Sequence, residues 1–480
     1  MALQVVPRRP QSEDAGSPRS SDFVGWAPKL LTDGEVRSTA ETEETSGDQF
    51  PKDIILRIAC EVAVTDLVQM ASVCRWWRTV INGSEGEVLW QELWNRRHGP
   101  HCVVNGYEGI GLPCSATPFC RPPLGWRHEF MAAFYLSRGR AFRKRRLAGH
   151  TSDVGNVRVC AERTKLVSTA PNSGELIVWD IKCGTPEVSF QVSNVYIVGE
   201  TNNKKLILVS NSSPLSRFYS LDPIAGCLRE LFAVNSSFLA TGAPCLRLLS
   251  IVHGDKIVLA RKDTNEVMVF DTEEGHCIGC FGGHNAMVEA LTSTREGHIV
   301  TYSASGEIIW WNIPEGSILR RRISRVRVWG GRLTATTAGN LLAWGRGNVL
   351  WVLDAETGEP LRGVDCELEV HVGNIGIYAT VDGQKVVLLF YPNPLIVDIP
   401  CGKVLADLEI SRPSCATTSP DSSILLTGSE DGLIQMWLLQ TGELLRSINT
   451  RAKVRSIWCA GDSVVAGLDT GDILVYTFSL

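Results

Sequence analysis

The feature that most constrains the fold is a strand pattern that recurs along the chain after about residue 145. Short β-branched runs alternate there with Gly, Asn, Asp and Ser, which is typical of strands joined by tight turns. In each repeat, one apolar strand ends 39 to 49 residues after its counterpart in the previous repeat. A period of this size with four strands per repeat is typical of a β-propeller, so eight repeats predict eight blades. The eight strands end at Asp180, Asp222, Asp271, Asn312, Asp354, Asp398, Leu438 and Thr477.

Composition restricts the classes of function. The chain has 480 residues, of which 44% are hydrophobic and 21% charged, so more than one folded domain is expected. A net charge of −5 argues against a general nucleic-acid-binding protein, which usually carries a basic excess. The sequence has no apolar run long enough for a membrane span and no signal-peptide pattern at its N-terminus. Its 15 scattered cysteines fit reduced thiols, so we expect a cytoplasmic or nuclear protein, or both.

The region before the repeats is predicted to be helical. Pro51 suits the first turn of a helix, and Ile54 and Ile58 lie four residues apart on one helix face. About 45 residues cannot bury so much apolar surface alone, so this region is expected to share its surface with a partner. A further helix is predicted over residues 124–140. The predicted segments are a disordered tail at 1–49, a small all-α domain at 50–97, a linker loop and helix at 98–145, and the propeller at 146–480.

Three of the eight repeats resemble WD40 repeats. In that family a His, a Ser or Thr, an Asp and a Trp form a hydrogen-bonded network that ties three strands of a blade together. Here Ser173 and Ser305 stand where Asp is usual in the first and fourth repeats, and the seventh repeat lacks the His. The remaining repeats match mainly in period and strand pattern. The matching residues are Gly149, His150, Trp179 and Asp180 in the first repeat, Gly283, His284 and Trp311 in the fourth, and Thr427, Asp431 and Trp437 in the seventh.

The helical segment resembles the F-box. An F-box followed by WD repeats makes the whole chain similar to F-box/WD-repeat proteins, the substrate receptors of SCF-type cullin–RING ubiquitin ligases. The resemblance implies a multidomain chain, in which a small all-α F-box domain and a helical linker precede an all-β, eight-bladed WD40-type propeller. The residues that meet the F-box pattern are Pro51, Asp53, Ile54, Asp66, Leu67, Val73, Cys74, Arg75, Trp77, Leu89 and Trp90.

The resemblance also implies partners for the helical segment. An F-box binds a Skp-type adaptor and through it the cullin and RING subunits, and a few buried anchors dominate such an interface. The alternative is that these side chains pack only against the linker helix. The candidate adaptor-binding residues are Pro51, Ile54, Ile58, Leu67, Val68, Val73 and Trp77.

A protein substrate is expected to bind at the top face of the propeller. Related receptors hold a phosphorylated degron with arginines of the inner strands, and the planar guanidinium suits phosphate oxygens. Three repeats place an arginine in the same inner-strand slot, namely Arg247, Arg327 and Arg455 in repeats 3, 5 and 8. Tyr196 and Glu289 occupy that slot in repeats 2 and 4. The alternative is that these arginines pair with neighbouring acidic residues.

Three other patterns carry less weight. The pair Cys277 and Cys280 lies on a predicted strand whose alternation turns the two side chains to opposite faces, so buried thiols are expected. The basic run at residues 143–146 is predicted to begin the strand that closes the ring, with nuclear import as the alternative. A Cys/His cluster lacks the paired spacing of a zinc site, so neither metal nor cofactor is expected. That cluster is His98, His101, Cys102, Cys114 and Cys120.

The sequence contains no recognisable catalytic motif. It has neither a phosphate-binding loop of P-loop spacing nor a nucleophile elbow. The chain is therefore predicted to be a non-catalytic subunit that recognises a substrate and holds it near a conjugating enzyme. The alternative function is a non-catalytic WD-repeat scaffold without a ligase role.

Overall fold

Eight antiparallel four-stranded sheets follow one another along the chain from residue 143 to residue 477. All residues that the computed structural model describes belong to one compact unit, Phe50–Leu480. The described residues are 59, 79–81, 83, 86–98, 136 and 143–478, except for 161–162, 213, 240, 243–246, 262, 295, 325, 327, 337, 346, 367–375, 381–382 and 390–392. The predicted tail and all seven candidate adaptor-binding residues lie outside them.

The strands are named here in chain order. Those up to the third blade are β1 (Arg143–Ala148), β2 (Asn156–Cys160), β3 (Lys165–Ala170), β4 (Glu175–Asp180), β5 (Thr185–Gln191), β6 (Val195–Glu200), β7 (Leu206–Ser212), β8 (Leu215–Asp222), β9 (Cys227–Asn235), β10 (Thr241–Gly242), β11 (Arg247–Leu248), β12 (Ser250–His253), β13 (Lys256–Ala260), β14 (Val267–Asp271) and β15 (Cys277–Phe281). A short 3-10 helix, Ser236–Phe238, separates β9 from β10.

The remaining strands complete the ring. They are β16 (Val288–Ser293), β17 (Ile299–Ser303), β18 (Glu307–Asn312), β19 (Ser317–Ile323), β20 (Val328–Ala335), β21 (Asn340–Gly345), β22 (Val349–Asp354), β23 (Pro360–Asp365), β24 (Gly376–Ala379), β25 (Lys385–Leu389), β26 (Leu395–Asp398), β27 (Lys403–Asp407), β28 (Pro413–Thr418), β29 (Ile424–Ser429), β30 (Leu433–Leu438), β31 (Glu443–Asn449), β32 (Val454–Ala460), β33 (Ser463–Leu468) and β34 (Asp472–Thr477).

Seven blades are built from four consecutive strands each, and the eighth joins the two ends of the propeller. Blades 1 to 7 are β2–β5, β6–β9, β12–β15, β16–β19, β20–β23, β24–β27 and β28–β31. In blade 8, β1 pairs with β34 from Arg143 opposite Thr477 to Ala148 opposite Asp472. The Arg146 guanidinium lies 2.7 Å from the Asp472 carboxylate in this pair. The prediction that the basic run begins the closing strand is confirmed, as is the eight-bladed propeller.

The third strand of each blade ends at the residue predicted from the repeat. In five blades this residue is an aspartate whose carboxylate accepts hydrogen bonds from backbone N–H groups of the following turn. A glycine with positive φ then completes the turn, as at Gly358. A Cβ atom there would also meet Trp310 and Arg322 of the preceding blade. The turn thus needs aspartate for its hydrogen bonds and glycine for its conformation and its close packing.

The fourth strand of blades 1 to 7 contains a β-bulge at the same place. The pairing of the third strand with the fourth shifts by one residue, which leaves one residue of the outer strand unpaired. Strand β1, which closes blade 8, pairs with β34 without such a shift. The unpaired residues are Glu187, Leu231, Ile278, Leu319, Leu361, Leu405 and Leu445.

The hydrophobic core lies between neighbouring blades. Among the described residues, each pair of adjacent blades shares one cluster of buried apolar side chains. Successive residues of the middle strands face opposite neighbours: Leu425 packs with blade 6, whereas Ile424 and Leu426 pack with blade 8. This arrangement explains why these strands are continuous apolar runs rather than alternating ones.

Parts of the helical region are also described. Helix α1 (Gly86–His98) follows helical residues at 79–81, and the Trp90 indole N–H donates to the Ile81 carbonyl at 2.9 Å. Val80, Ile81 and Leu89, which are close to Trp90 in the sequence, are also buried. Leu136, on the predicted linker helix, is helical and lies buried in the cluster between blades 7 and 8. Leu136 is therefore attached to the propeller between blades 7 and 8.

The described helical residues include no helix that is both long and apolar enough to cross a membrane.

Candidate functional site

Blade 1 contains a hydrogen-bonded network that joins its second and third strands, β3 and β4, to the loop that precedes β2. The Trp179 indole N–H donates to the Ser168 hydroxyl at 2.8 Å, and Ser168 contacts Nε2 of His150 at 2.7 Å. Nδ1 of His150 lies 3.2 Å from a carboxylate oxygen of Glu175. The carboxylate also accepts hydrogen bonds from Thr151. Because the carboxylate only accepts, the proton of His150 is on Nδ1 and Nε2 accepts from the serine.

Blade 4 repeats the same network with different residues. The Trp311 indole N–H donates to the Thr301 hydroxyl at 2.8 Å, and that hydroxyl lies 2.6 Å from Nε2 of His284. Nδ1 of His284 is 3.2 Å from the Glu307 carboxylate. Arg321 of the outer strand contacts the other oxygen of that carboxylate at 3.3 Å. The network therefore joins the second, third and fourth strands of the blade to the loop that precedes its first strand.

Both networks contain a carboxylate that the sequence comparison missed. In the family, the carboxylate of the network is an aspartate at the positions of Ser173 and Ser305. Because serine stands there, the sequence predicted that no blade has the full set of His, Ser or Thr, carboxylate and Trp. The structure instead takes the carboxylate from Glu175 and Glu307, two residues later, at the first position of the third strand. Glutamate has one more methylene group than aspartate and reaches the histidine from there. In blade 7 only the pair of Trp437 and Thr427 remains, at 3.1 Å.

We call the end of the propeller at which the first strand of each blade begins the rim. Residues of the predicted inner-strand slot lie at this end, next to β-bulges. Glu289, Ser414 and Arg455 are each the second residue of a first strand, in blades 4, 7 and 8, at a shift in pairing with the second strand. The equivalence of Glu289 and Arg455 that the repeats predict is therefore real. Tyr196 is also a second residue, but its strand bulges later, between Ile197 and Gly199.

Arg455 is the predicted rim arginine whose side chain is described. Its Nη1 atom lies 3.5 Å from Glu430, in the turn between the second and third strands of blade 7. Both side chains are more than one-third exposed. The Nε atom of Arg455 is buried and makes no hydrogen bond with the described residues. The ion pair is long and screened by water, so much of the guanidinium's capacity to donate remains unused.

The other two arginines predicted for the site are Arg247 and Arg327. Arg247 was expected on the inner strand of blade 3. It lies instead in β11, which pairs with β10 outside the blade. The inner strand of blade 3 is β12, three residues further on. Arg327 lies outside the described residues. Arg412, in the loop before blade 7, is exposed and its carbonyl accepts from the backbone N–H of Glu430. Arg412 and Arg455 thus contact the same glutamate, the first through its backbone and the second through its side chain.

Comparison with known proteins agrees with the repeats. The family described as "WD domain, G-beta repeat" matches residues 410–437, in blade 7. The chain is a WD-repeat β-propeller. Among solved structures it is similar to the computationally designed Ika8 protein, with 22% identity, a TM-score of 0.52 and coverage of 69% of this chain and 98% of that one. At this identity the similarity concerns the fold alone. No curated protein sequence matches the chain. A WD40 propeller indicates a function in protein interaction.

The prediction for the cysteine pair of this WD propeller was wrong. Cys277 and Cys280 are both exposed, and their sulfur atoms lie 4.0 Å apart. The bulge in β15 is the reason, because it leaves Ile278 unpaired and removes one step of the strand alternation. Within the described residues, no group of three or more His, Cys, Asp or Glu side chains is placed to bind a metal.

Burial affects the titration of the two network histidines. It lowers the pKa of His150 and of His284 below the usual value, although the adjacent carboxylates act in the opposite direction. The hydrogen bonds to Glu175 outweigh its own burial and lower the pKa of that carboxyl. Near neutral pH each histidine is therefore neutral and donates from Nδ1 to a carboxylate.

The folded propeller is expected to lose stability as the pH falls below about 6.5, because the unfolded chain takes up protons that the buried histidines resist. Stability from this source is complete above the unfolded pKa and decreases toward the lowered folded pKa. Urea denaturation between about pH 7.5 and pH 5 measures it. His284→Gln should flatten the dependence, whereas the exposed His276→Gln should leave it unchanged. Equal slopes in all three proteins would contradict this explanation.

Proposed function

We propose that this chain is the substrate-recognition subunit of an SCF-type ubiquitin ligase. One observation carries the proposal: an F-box pattern, from Pro51 to Trp90, precedes an eight-bladed WD propeller in one chain. In this proposal the helical segment binds a Skp-type adaptor and through it the cullin and RING subunits. The propeller binds a protein substrate, and the chain performs no catalytic step itself. It acts in the cytoplasm, the nucleus or both.

Packing in the helical region supports two different roles for the F-box residues, namely stabilising the segment and binding the adaptor. Leu89 and Trp90 belong to the motif, but both are buried, and Trp90 is tied to the Ile81 carbonyl. They therefore stabilise the helical segment itself. The earlier apolar positions of the motif, such as Pro51 and Ile54, are proposed to contact the adaptor.

The attachment of the linker supports a fixed spacing between the two binding ends. Leu136 is 1% exposed and packs among residues of blades 7 and 8, which include Phe478 and Tyr476. A linker held at this seam would keep a bound substrate at a defined distance from the adaptor. Such positioning raises the effective concentration of a substrate lysine near the conjugating enzyme.

The rim near blades 7 and 8 is the proposed substrate site. The Arg455 side chain is about one-third exposed and has a long contact to Glu430, and the backbone of the exposed Arg412 is hydrogen-bonded to the backbone of that glutamate. An acidic or phosphorylated segment of the substrate could replace Glu430 as the partner of Arg455. A phosphate would pair with the guanidinium through two hydrogen bonds, which the present glutamate contact does not do.

Capture of substrates from cells with a blocked proteasome tests this site. Arg455→Ala is expected to reduce recovery of the captured proteins about tenfold or more, while the adaptor is recovered as before. Glu289→Ala is the matched control, because it changes the same bulge position on blade 4. Phosphatase treatment of the lysate should reproduce the loss for phosphorylated substrates. An unchanged set of proteins on the Arg455 variant would refute the assignment of this site.

A further inference from the structure

The outer strand of blade 3 carries two neighbouring thiols that no part of the proposed function uses. Cys277 and Cys280 lie on β15, and their sulfur atoms are 4.0 Å apart. Both side chains are exposed, so small molecules can reach them. The sulfur of Cys277 also lies 3.6 Å from the Gly279 carbonyl, which places it over the segment that joins the two residues.

The bulge creates this geometry. On a regular strand, residues three apart face opposite sides. In β15, Val269 pairs with Gly279 and Phe270 pairs with Cys277, so Ile278 is left out of the alternation. The two cysteines therefore lie on the same face. Other blades have the same bulge but place residues such as Ile318 and Arg321 at these positions.

Closing a bond between the two sulfurs would require little rearrangement. A disulfide needs a sulfur–sulfur distance of about 2.0 Å, so the thiols must approach by about 2 Å. Strand β15 is hydrogen-bonded to β14 on one side and is the last strand of its sheet. Its free edge and the small Gly279 between the cysteines allow side-chain rotation and a slight backbone shift without disturbing the core.

We propose that Cys277 and Cys280 form a redox-active dithiol that a low-molecular-weight disulfide, such as glutathione disulfide, oxidises to an intramolecular disulfide. The thiolate of Cys277 attacks one sulfur of glutathione disulfide, which breaks that bond and releases one glutathione thiolate. The thiolate of Cys280 then attacks the Cys277 sulfur of the mixed disulfide and releases the second glutathione. Two protein thiols are oxidised, one glutathione disulfide is reduced to two glutathiones, and the two protons of the protein thiols pass to the two glutathione thiolates.

The surroundings of the two thiols support this order of attack. Burial and the adjacent Cys277 thiol raise the pKa of Cys280, so Cys280 holds its proton more firmly. A thiol of this kind suits the second, resolving step, in which its partner is already within contact distance. The reverse reaction, with reduced glutathione, restores both thiols.

Mass spectrometry of the full-length protein tests the dithiol. After treatment with glutathione disulfide, the peptide containing both cysteines should lose two hydrogens and resist alkylation, and dithiothreitol should reverse this. Cys227, an exposed cysteine on the outer strand of blade 2, is the internal control and should remain alkylatable or carry a reversible glutathione adduct. Cys277→Ser and Cys280→Ser should each convert the remaining cysteine to a stable mixed disulfide.

A trivalent arsenical gives a second reading that does not depend on oxidation. Phenylarsine oxide bridges two neighbouring thiols, so it should protect both cysteines of the wild-type protein from alkylation. Either serine variant should lose this protection, and Cys227→Ser should retain it. Wild-type protein that gives only mixed disulfides with glutathione, and no arsenical protection, would overturn the proposal even if a variant failed to fold.

Discussion

Replacing Trp311 by alanine is expected to lower the free energy of unfolding by about 3–5 kcal/mol. The side chain is 2% exposed and fills the space between blades 3 and 4. Its removal would leave a cavity there and take away the indole N–H that donates to Thr301. Because Thr301 also contacts His284, the change would loosen the network that joins the strands of blade 4.

Urea denaturation of the purified protein measures this effect, and two variants separate its causes. Trp311→Phe keeps most of the volume but removes the N–H, so it should cost only about 1 kcal/mol for the lost hydrogen bond, plus any change in packing. Thr301→Ser keeps the hydroxyl and should cost less than Thr301→Val, which removes it. A loss below about 1 kcal/mol for Trp311→Ala would contradict a packed, network-tied blade.

The double substitution Pro51→Ala and Ile54→Ala is expected to abolish co-purification of the Skp-type adaptor. Protein–protein interfaces depend on a few anchor residues, and truncating two of them removes a large part of the binding free energy. The loss should appear as adaptor absent from the affinity-purified chain. The captured substrates should remain, because the propeller rim is unchanged.

This second result needs a control for folding. The thermal unfolding midpoint of the propeller should be the same in the double variant and the wild type. Arg455→Ala provides the complementary control, since it should keep the adaptor and lose substrates. Retention of the adaptor by the double variant would refute the assignment of Pro51 and Ile54 as anchors.

The parts of the fold that depend on local chemistry could be predicted from the sequence. All eight third strands end where the repeat places them. In five of them an aspartate that accepts turn N–H groups and a following glycine with positive φ mark the turn directly. The closing strand was also predictable. Its basic run precedes the first repeat and pairs with the last strand.

The parts that depend on contacts between strands were not predictable in the same way. Glu175 and Glu307 reach their histidines from a different strand position than the family's aspartate, which only the three-dimensional distance reveals. The bulge that brings Cys277 next to Cys280 has no single-residue signature. Arg247 was misplaced because the chain inserts the short strands β10 and β11 before blade 3 and so lengthens the repeat.

In the proposed function, one chain links a ligase to its substrate. The most direct measurement is affinity purification of the tagged full-length chain from cells with a blocked proteasome, followed by quantification of the cullin subunit and of ubiquitin on the captured proteins. The wild type should recover cullin together with ubiquitinated substrates, and Pro51→Ala with Ile54→Ala should recover unmodified substrates without cullin. Recovery of the adaptor without cullin, and of substrates without ubiquitin, would contradict the claim and identify a WD-repeat scaffold.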